Sequence, residues 1–482
     1  MNLQLIEPSA TKTLYEQVAQ RIQDLITEGT LQPGDRLPSV RKLHRQLSVS
    51  ISTVLEAYRV LEDQGWIMAR PQSGYFVKRS PLTVPAEPDA IAQPKQITPV
   101  KISLAFRISA TLRDPQNVTL GAAVPCLDLL PISAINRLMG QVLRANPTIA
   151  HGYGQPEGRP ELRQAIARRL LNAGCSLTPE DVIITNGTAE ALYLSLRAVT
   201  QPGDTVAIES PTYYGLLEIL ESLHLRALEI PTHPKDGISL AHLETALQQQ
   251  QIATCAIVSN FSNPLGSCID DHQKKQLLDL FNRYDKPLIE DDVYGDLAFD
   301  GVRPKAIKAF DTENRVLYCA SASKTMSPGL RIGWVLPGRY HLQIAQLKMA
   351  MNWTTGIPPQ LAIAAFLGNG GYDRHLRQMQ RAYQQQVARM TQAICEYFPA
   401  GTKVSRPKGG YVLWLELPPS FDAMQLFEDA LSHHISVAPG NLFSPTGHFQ
   451  NCLRLSCASP WSETIDRAMQ TLGRLIQQQS HH

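Results

Sequence analysis

The sequence predicts an α/β protein in which a small domain of three helices and a hairpin precedes a mostly parallel central sheet. Three observations carry this prediction. Residues 13–77 hold three apolar patterns at helical spacing, then two short β-type runs. Residues 81–100 hold five prolines and no aromatic residue. From residue 101 onward, short apolar runs alternate with helix-like segments, the pattern of a parallel α/β sheet.

In the first region, Leu14, Val18, Ile22, Leu25 and Ile26 recur at helical spacing over residues 13–28, and Gly29 ends the run. Pro33-Gly34-Asp35 is a turn signal. Ser39 can cap a short helix running through Gln46. Ser50 can cap another, with Val54, Tyr58 and Leu61 on its buried face and Gly65 as its stop. Trp66-Ile67-Met68 and Tyr75-Phe76-Val77 read as two strands around the turn Gln72-Ser73-Gly74.

The prolines Pro81, Pro85, Pro88, Pro94 and Pro99 bias their segment to extended conformations, so it reads as a semi-rigid linker. Beyond it come Val182–Ile184, Thr205–Ile208, Cys255–Val258, Pro287–Ile289 and Arg315–Tyr318 as candidate strands. Sheets of this kind place ligand sites at the carboxyl ends of their strands.

Composition narrows the class. The 482 residues are 43% apolar and 18% charged, which fits a globular chain of about three domains. The longest apolar run, Leu361–Leu367, is far short of the roughly 20 residues a membrane span needs. The first residues lack a basic stretch followed by an apolar one, so no signal peptide is expected. Eight cysteines without metal-type spacing read as reduced thiols of a cytoplasmic protein, and no metal is expected. Net charge is +2, but residues 36–80 hold 8 basic and 3 acidic residues. A polyanion partner and a merely solvated face both fit that excess.

Chemistry-bearing residues follow the candidate strands. Gly187, Thr188, Ala189 and Glu190 form a strand-to-helix turn whose backbone N–H groups could hold a phosphate, or simply connect two elements. Asn263-Pro264 is on its own an ordinary turn. The acidic run Glu290-Asp291-Asp292 is equally a metal-binding or a solvated cluster. Ser321-Ala322-Ser323-Lys324 ends the fifth run, with Arg331 seven residues after Lys324.

In this order, over roughly residues 115–460, these segments resemble the aspartate-aminotransferase superfamily, the fold type I enzymes of pyridoxal 5′-phosphate. That resemblance implies a central sheet with a smaller α+β subdomain, and a role for each residue. Lys324 would hold the cofactor aldehyde covalently and is the expected catalytic residue. Arg331 and the turn from Gly187 through Thr188 and Ala189 to Glu190 would bind the phosphate, with Ser321 and Ser323 beside them. Asp291 would face the pyridine nitrogen and keep it protonated. Asn263 and Tyr294 would hydrogen-bond the ring hydroxyl, and Tyr213, rather than Tyr214, matches the stacking aromatic. Tyr153 matches a residue that reaches the phosphate of the neighbouring subunit, which implies a homodimer. Arg454 matches the arginine that takes a substrate α-carboxylate through its bidentate fork.

Pro33–Arg41, Ser52-Thr53-Val54 and Ser73-Gly74 resemble a GntR-type winged helix-turn-helix over residues 11–79. Arg36, Ser39, Arg41, Ser50, Ser52, Thr53 and Gly74 match its DNA-facing positions, and pairing with a nearby acid is the competing reading for Arg36. Ile51 and Leu55 stand where many members carry arginine. The two resemblances together are those of the MocR class of transcriptional regulators. They imply a DNA reader at residues 1–80, a linker at 81–114 and a pyridoxal-phosphate domain at 115–482. The function implied is regulation of transcription in response to the cofactor or an amino compound. The alternative is an amino acid aminotransferase with a vestigial or tethering N-terminal domain, because the residues needed for transamination are present.

Overall fold

The structure, a computed structural model, describes residues 13–27, 30–32, 34–70, 73–78, 85–89, 97–100, 108, 111, 114 and 116–479. Gly29, Pro33, Gln72, Pro81, Pro94, His481 and His482 lie outside them. The chain divides into two compact units, one of residues up to Pro85 together with Ala388–Phe398, the other of Ala86–Val387 together with the residues from Pro399 onward.

The N-terminal unit contains the helices Leu14–Thr27, Val40–Leu47 and Ile51–Asp63. Val18, Ile22 and Ile26 of the first meet Val54, Ala57, Tyr58 and Leu61 of the third in one buried cluster. Both expected caps form. Ser39 Oγ accepts from Lys42 N at 3.3 Å and Ser50 Oγ from Thr53 N at 3.0 Å. Gly65, at φ +77°, closes the third helix as Trp66 N donates back to Leu61 O. The hairpin pairs Ile67–Arg70 with Gly74–Val77. Its outer edge is covered by the 34–37 segment, where Leu37 N donates to Tyr75 O and Val77 N to Asp35 O, each at 2.8 Å. Tyr58 fastens helix to turn by donating to Pro38 O at 2.6 Å.

The second unit is built on a nine-stranded sheet. Its centre is five parallel strands in the order Arg226–His233, Thr205–Ser210, Thr254–Val258, Leu288–Asp291 and Val316–Ser321. Gly333–Leu336 runs antiparallel to the last of these and pairs with Ile183–Thr185. Alternate residues enter two separate apolar clusters, Ile208, Ala256, Ile289 and Leu317 in one and Ala207, Cys255, Leu288 and Val316 in the other. A sheet covered on both faces needs apolar side chains at every position, which is why its strands read as unbroken apolar runs. The parallel register also brings the ends after Ser210, Val258, Asp291 and Ser321 to one edge.

A smaller α+β subdomain follows. Lys403–Val404, Val412–Glu416, Cys452–Ser456 and Ala438–Pro439 make an antiparallel sheet, accompanied by the helices Ala423–Ser432 and Glu463–Gln479. The described pieces of the proline-rich segment lie on this second unit. Ile97–Pro99 adds an antiparallel edge strand against Arg226–Leu228, and Ala86 O accepts from Val404 N at 2.9 Å. Among the described residues no helix is long and apolar enough to cross a membrane, and no group of three or more His, Cys, Asp or Glu is placed to hold a metal.

Candidate functional site

A cavity of about 300 Å3 opens at the shared edge of the sheet. Ten of the expected residues line it: Thr188, Ala189, Tyr213, Asn263, Asp291, Tyr294, Ser321, Ser323, Lys324 and Arg331. Most sit at or shortly after the carboxyl end of a strand, and Arg331 just before the antiparallel strand Gly333–Leu336, so chain order and sheet order together assemble the site.

One end of the cavity is shaped for an anion. The helix Thr188–Val199 starts there with no side-chain cap on Gly187, which leaves its first N–H groups open. Thr188 Oγ1 is buried without a hydrogen-bond partner. The Arg331 guanidinium touches only backbone carbonyls, Pro328 O and Asn186 O, each at 3.2 Å, and has no carboxylate partner among the described residues. Gly187 is required twice over. Its backbone is at φ +78° and ψ 177°, a region open only to glycine, and a Cβ there would strike Arg331 Nη2.

At the other end, Lys324 Nζ donates to Ala123 O at 2.9 Å. Burial pulls its ammonium down to about 8, against the upward pull of Asp291. Burial pushes the Asp291 carboxyl up to about 7, with Asp292 adding to the rise, while Val293 N and Lys324 oppose it. Such a carboxylate needs a cationic or N–H partner to stay ionised. Arg454 is 1% exposed and has no acidic partner among the described residues. Its Nη1 donates to Asn263 Oδ1 at 3.0 Å, its Nη2 to Gly121 O, and its Nε has no partner. A buried guanidinium without a counter-charge is costly unless a ligand supplies one.

Four expected residues are not among the lining ones, and Arg454 is one of them, tied to the lining residue Asn263 by its hydrogen bond. Gly187 forms the wall behind Arg331, as described. The Glu190 carboxylate turns away, accepting from Asn186 N and Asn352 Nδ2 and pairing at 3.4 Å with the fully buried Lys348. Tyr153 is 94% exposed and lies outside this cavity.

On the N-terminal unit, Gly74 and Arg36 are brought side by side, since a Cβ at Gly74 would lie 3.5 Å from Arg36 Nε. Arg36 and Arg41 are exposed, and neither has an acidic partner among the described residues. The hydroxyls of Ser50, Ser52 and Thr53 form a linked set at 2.7 Å around the start of the helix Ile51–Asp63.

Residues 118–472 match the class I and II aminotransferase family, and residues 14–77 match the bacterial regulatory proteins of the gntR family. A 41% identical relative in Escherichia coli, the uncharacterized HTH-type transcriptional regulator YdcR, aligns over 96% of this chain and 99% of its own length. This chain is a MocR-class protein. A second Escherichia coli relative, YjiR, is 39% identical over 96% of the chain and 99% of its own length. Solved structures similar to the MocR-class chain cover its second unit. The multiple substrate aminotransferase of Thermococcus profundus matches with a TM-score of 0.73 at 27% identity, covering 79% of this chain and 96% of its own. LysN of Thermus thermophilus, solved with N-(5′-phosphopyridoxyl)-L-leucine, matches at 0.72 and 26%, covering 79% and 100%.

Other residues shape the MocR-class cavity without an obvious mark in the sequence. Tyr411 OH donates to Ala123 O at 3.2 Å, the same carbonyl that receives Lys324, and its ring lies 5.6 Å from that of Tyr294. Only the preceding Gly409-Gly410 pair hints at it. Glu209 is buried behind Asp291, where burial pushes its carboxyl up to about 8. It accepts from Val258 N at 2.8 Å, and its other oxygen has no partner.

Proposed function

We propose that this chain is a pyridoxal-phosphate-dependent, DNA-binding transcriptional regulator whose second unit senses the cofactor or an amino compound bound with it. The observation that carries this reading is the pairing, in one chain, of an exposed basic winged helix with a cavity that holds Lys324 beside Asp291 and an Arg331 without a carboxylate partner among the described residues. The fit of the cofactor rests on the unpartnered Thr188 Oγ1, the acid-free Arg331 and the uncapped helix start.

Bound there, pyridoxal 5′-phosphate supplies an aldehyde that takes up an amine and a ring that withdraws electrons from it. Arg331, Thr188 and the N–H groups at Ala189 and Glu190 hold the phosphate. Lys324 offers its amine, and Ser321 and Ser323 line the same wall. Asp291 would keep the proton on the ring nitrogen, which in turn would let the carboxylate remain ionised. Asn263 and Tyr294 would donate to the ring hydroxyl, and Tyr213 would pack against the ring face. Arg454 takes the carboxylate of an amino acid ligand. Arg36, Ser39, Arg41, Ser50, Ser52, Thr53 and Gly74 face DNA phosphates and bases. The protein acts as a homodimer in the cytoplasm, where Tyr153 completes the site of the other copy and two readers span two half-sites.

Lys324, Asp291 and Arg454 also meet the needs of transamination, so the second reading is an aminotransferase whose N-terminal unit is a passenger. Paired titrations separate the two, with operator DNA measured with and without amine and amine measured with and without operator. Regulation requires equal shifts in both, typically about 5–150-fold. No shift in either, together with fast turnover of an amino acid and a keto acid, selects the enzyme.

A further inference from the structure

The helix Ile51–Asp63 carries more apolar surface than its own core uses. Val54, Ala57, Tyr58 and Leu61 are completely buried, yet Ile51 and Leu55 on another face are 45% and 47% exposed. These two lie one helical turn apart, at the amino end of the helix, and so form a single ridge. The hydroxyls next to them are engaged with one another around Ser50 Oγ, which leaves the two aliphatic side chains as the protruding feature of that turn. Farther along the helix, Glu56 and Arg59 approach each other to 4.0 Å.

The surroundings say what meets this ridge. Arg36, beside the hairpin tip, and Arg41 are exposed cations on the same unit without acidic partners among the described residues. Unpaired cations next to an apolar ridge suit a surface that is polyanionic at its edges and apolar at a point within. The DNA major groove has that character. Phosphates line both rims, and the apolar group on its floor is the 5-methyl of thymine. Isoleucine and leucine have no donor for guanine or acceptor for cytosine, so contact with a methyl group is the favourable interaction open to them.

Resting on the reading of this unit as a DNA reader, we propose that Ile51 and Leu55 select DNA by packing against pyrimidine 5-methyl groups in the major groove. Each half-site then carries a methyl-bearing pyrimidine at two positions. Thymine and 5-methylcytosine share that methyl, and the experiment distinguishes them.

The test uses the full-length protein and a duplex selected by it from a random-sequence pool. Thymidine is replaced by deoxyuridine one position at a time, which removes the methyl and leaves base pairing intact. We expect two positions per half-site at which uracil weakens binding by about fourfold, the worth of one buried methyl-sized group. At those positions 5-methylcytosine should bind more tightly than cytosine if the methyl alone is read. If only thymine is accepted, a neighbouring group also reads its carbonyl. Ile51→Ala and Leu55→Ala should each abolish the uracil effect at one position, with unchanged thermal midpoints because both residues are exposed. Should either variant fold poorly, Ile51→Val and the uracil scan of the unaltered protein still decide. A bound duplex indifferent to uracil everywhere overturns the inference, as does a uracil effect that survives in both alanine variants. If no duplex is selected at all, it is the reading of the unit as a DNA reader that fails.

Discussion

Lys324 and Asp291 show how a single buried charge acquires a task. Each is held in an unfavourable ionic state by burial, and each is relieved by the other. The Lys324 ammonium lies near 8 in the folded protein, below its usual value of about 10.4. The unfolded chain therefore binds more protons between those values. The cost of burying the charge is present in full below 8 and is lost as pH rises toward the unfolded value. The same shift governs reactivity, because only the neutral amine attacks an aldehyde. Capture of pyridoxal 5′-phosphate by cofactor-free protein should accelerate with pH up to about 8 and then level off. Stopped-flow absorbance across pH 6–10 measures this, and a rate still climbing at the alkaline end contradicts the assignment of Lys324. The positions of these two residues at the ends of successive strands were legible in the sequence, and the roles proposed for them come from the family resemblance. Glu209, packed behind Asp291, was not legible, because nothing in Glu209-Ser210-Pro211 distinguishes a buried acid from an exposed one.

Among the elements, the turn from Ile183–Thr185 into the helix Thr188–Val199 does the most with the fewest atoms. Gly187 fits where no Cβ can, Gly333 packs against it from the neighbouring strand, and Arg331 fills the remaining space. Gly187→Ala should cost about 1–3 kcal/mol in the stability of the cofactor-free protein, the usual cost of such backbone strain. It should also displace Arg331 and weaken cofactor binding well beyond that stability loss. Chemical denaturation and a cofactor titration on the same preparation give the two numbers, and an unchanged cofactor affinity would show that Arg331 is not set by this turn. The Ile97–Pro99 strand escaped the sequence reading for a plain reason. A three-residue edge strand that ends on a proline has no periodicity to detect, and it exists only because Arg226–Leu228 offers it an open edge.

For the whole molecule, the residue with the largest consequence is Tyr153. An aromatic side chain 94% exposed gains nothing within its own chain. In the homodimer proposed above, it supplies a hydrogen bond to the partner's phosphate, and charge-assisted bonds of that kind contribute about 1.5–3 kcal/mol. Tyr153→Ala should therefore weaken cofactor binding by roughly 10–100-fold. A mixture of Tyr153→Ala and Lys324→Ala chains should recover normal affinity in its mixed dimers. There, one site combines an intact Lys324 with the intact Tyr153 of the other chain. Absence of recovery would place Tyr153 in its own chain's business.

The sequence by itself determined what depends on neighbours in the chain. It specified the capped helices after Ser39 and Ser50, the hairpin tip at Gly74, the apolar strands and the order of chemical groups that follow them. Period and capping are local properties, readable wherever a residue's partner lies within a few positions. Tertiary structure decided what depends on distant partners. It placed Gly333–Leu336 antiparallel among parallel strands and turned Glu190 toward Lys348, 158 residues away. It also left Arg454 Nε and Thr188 Oγ1 with no hydrogen-bond partner. Burial and satisfaction are sums over everything that packs around an atom, and the chain settles them only when all its elements have met.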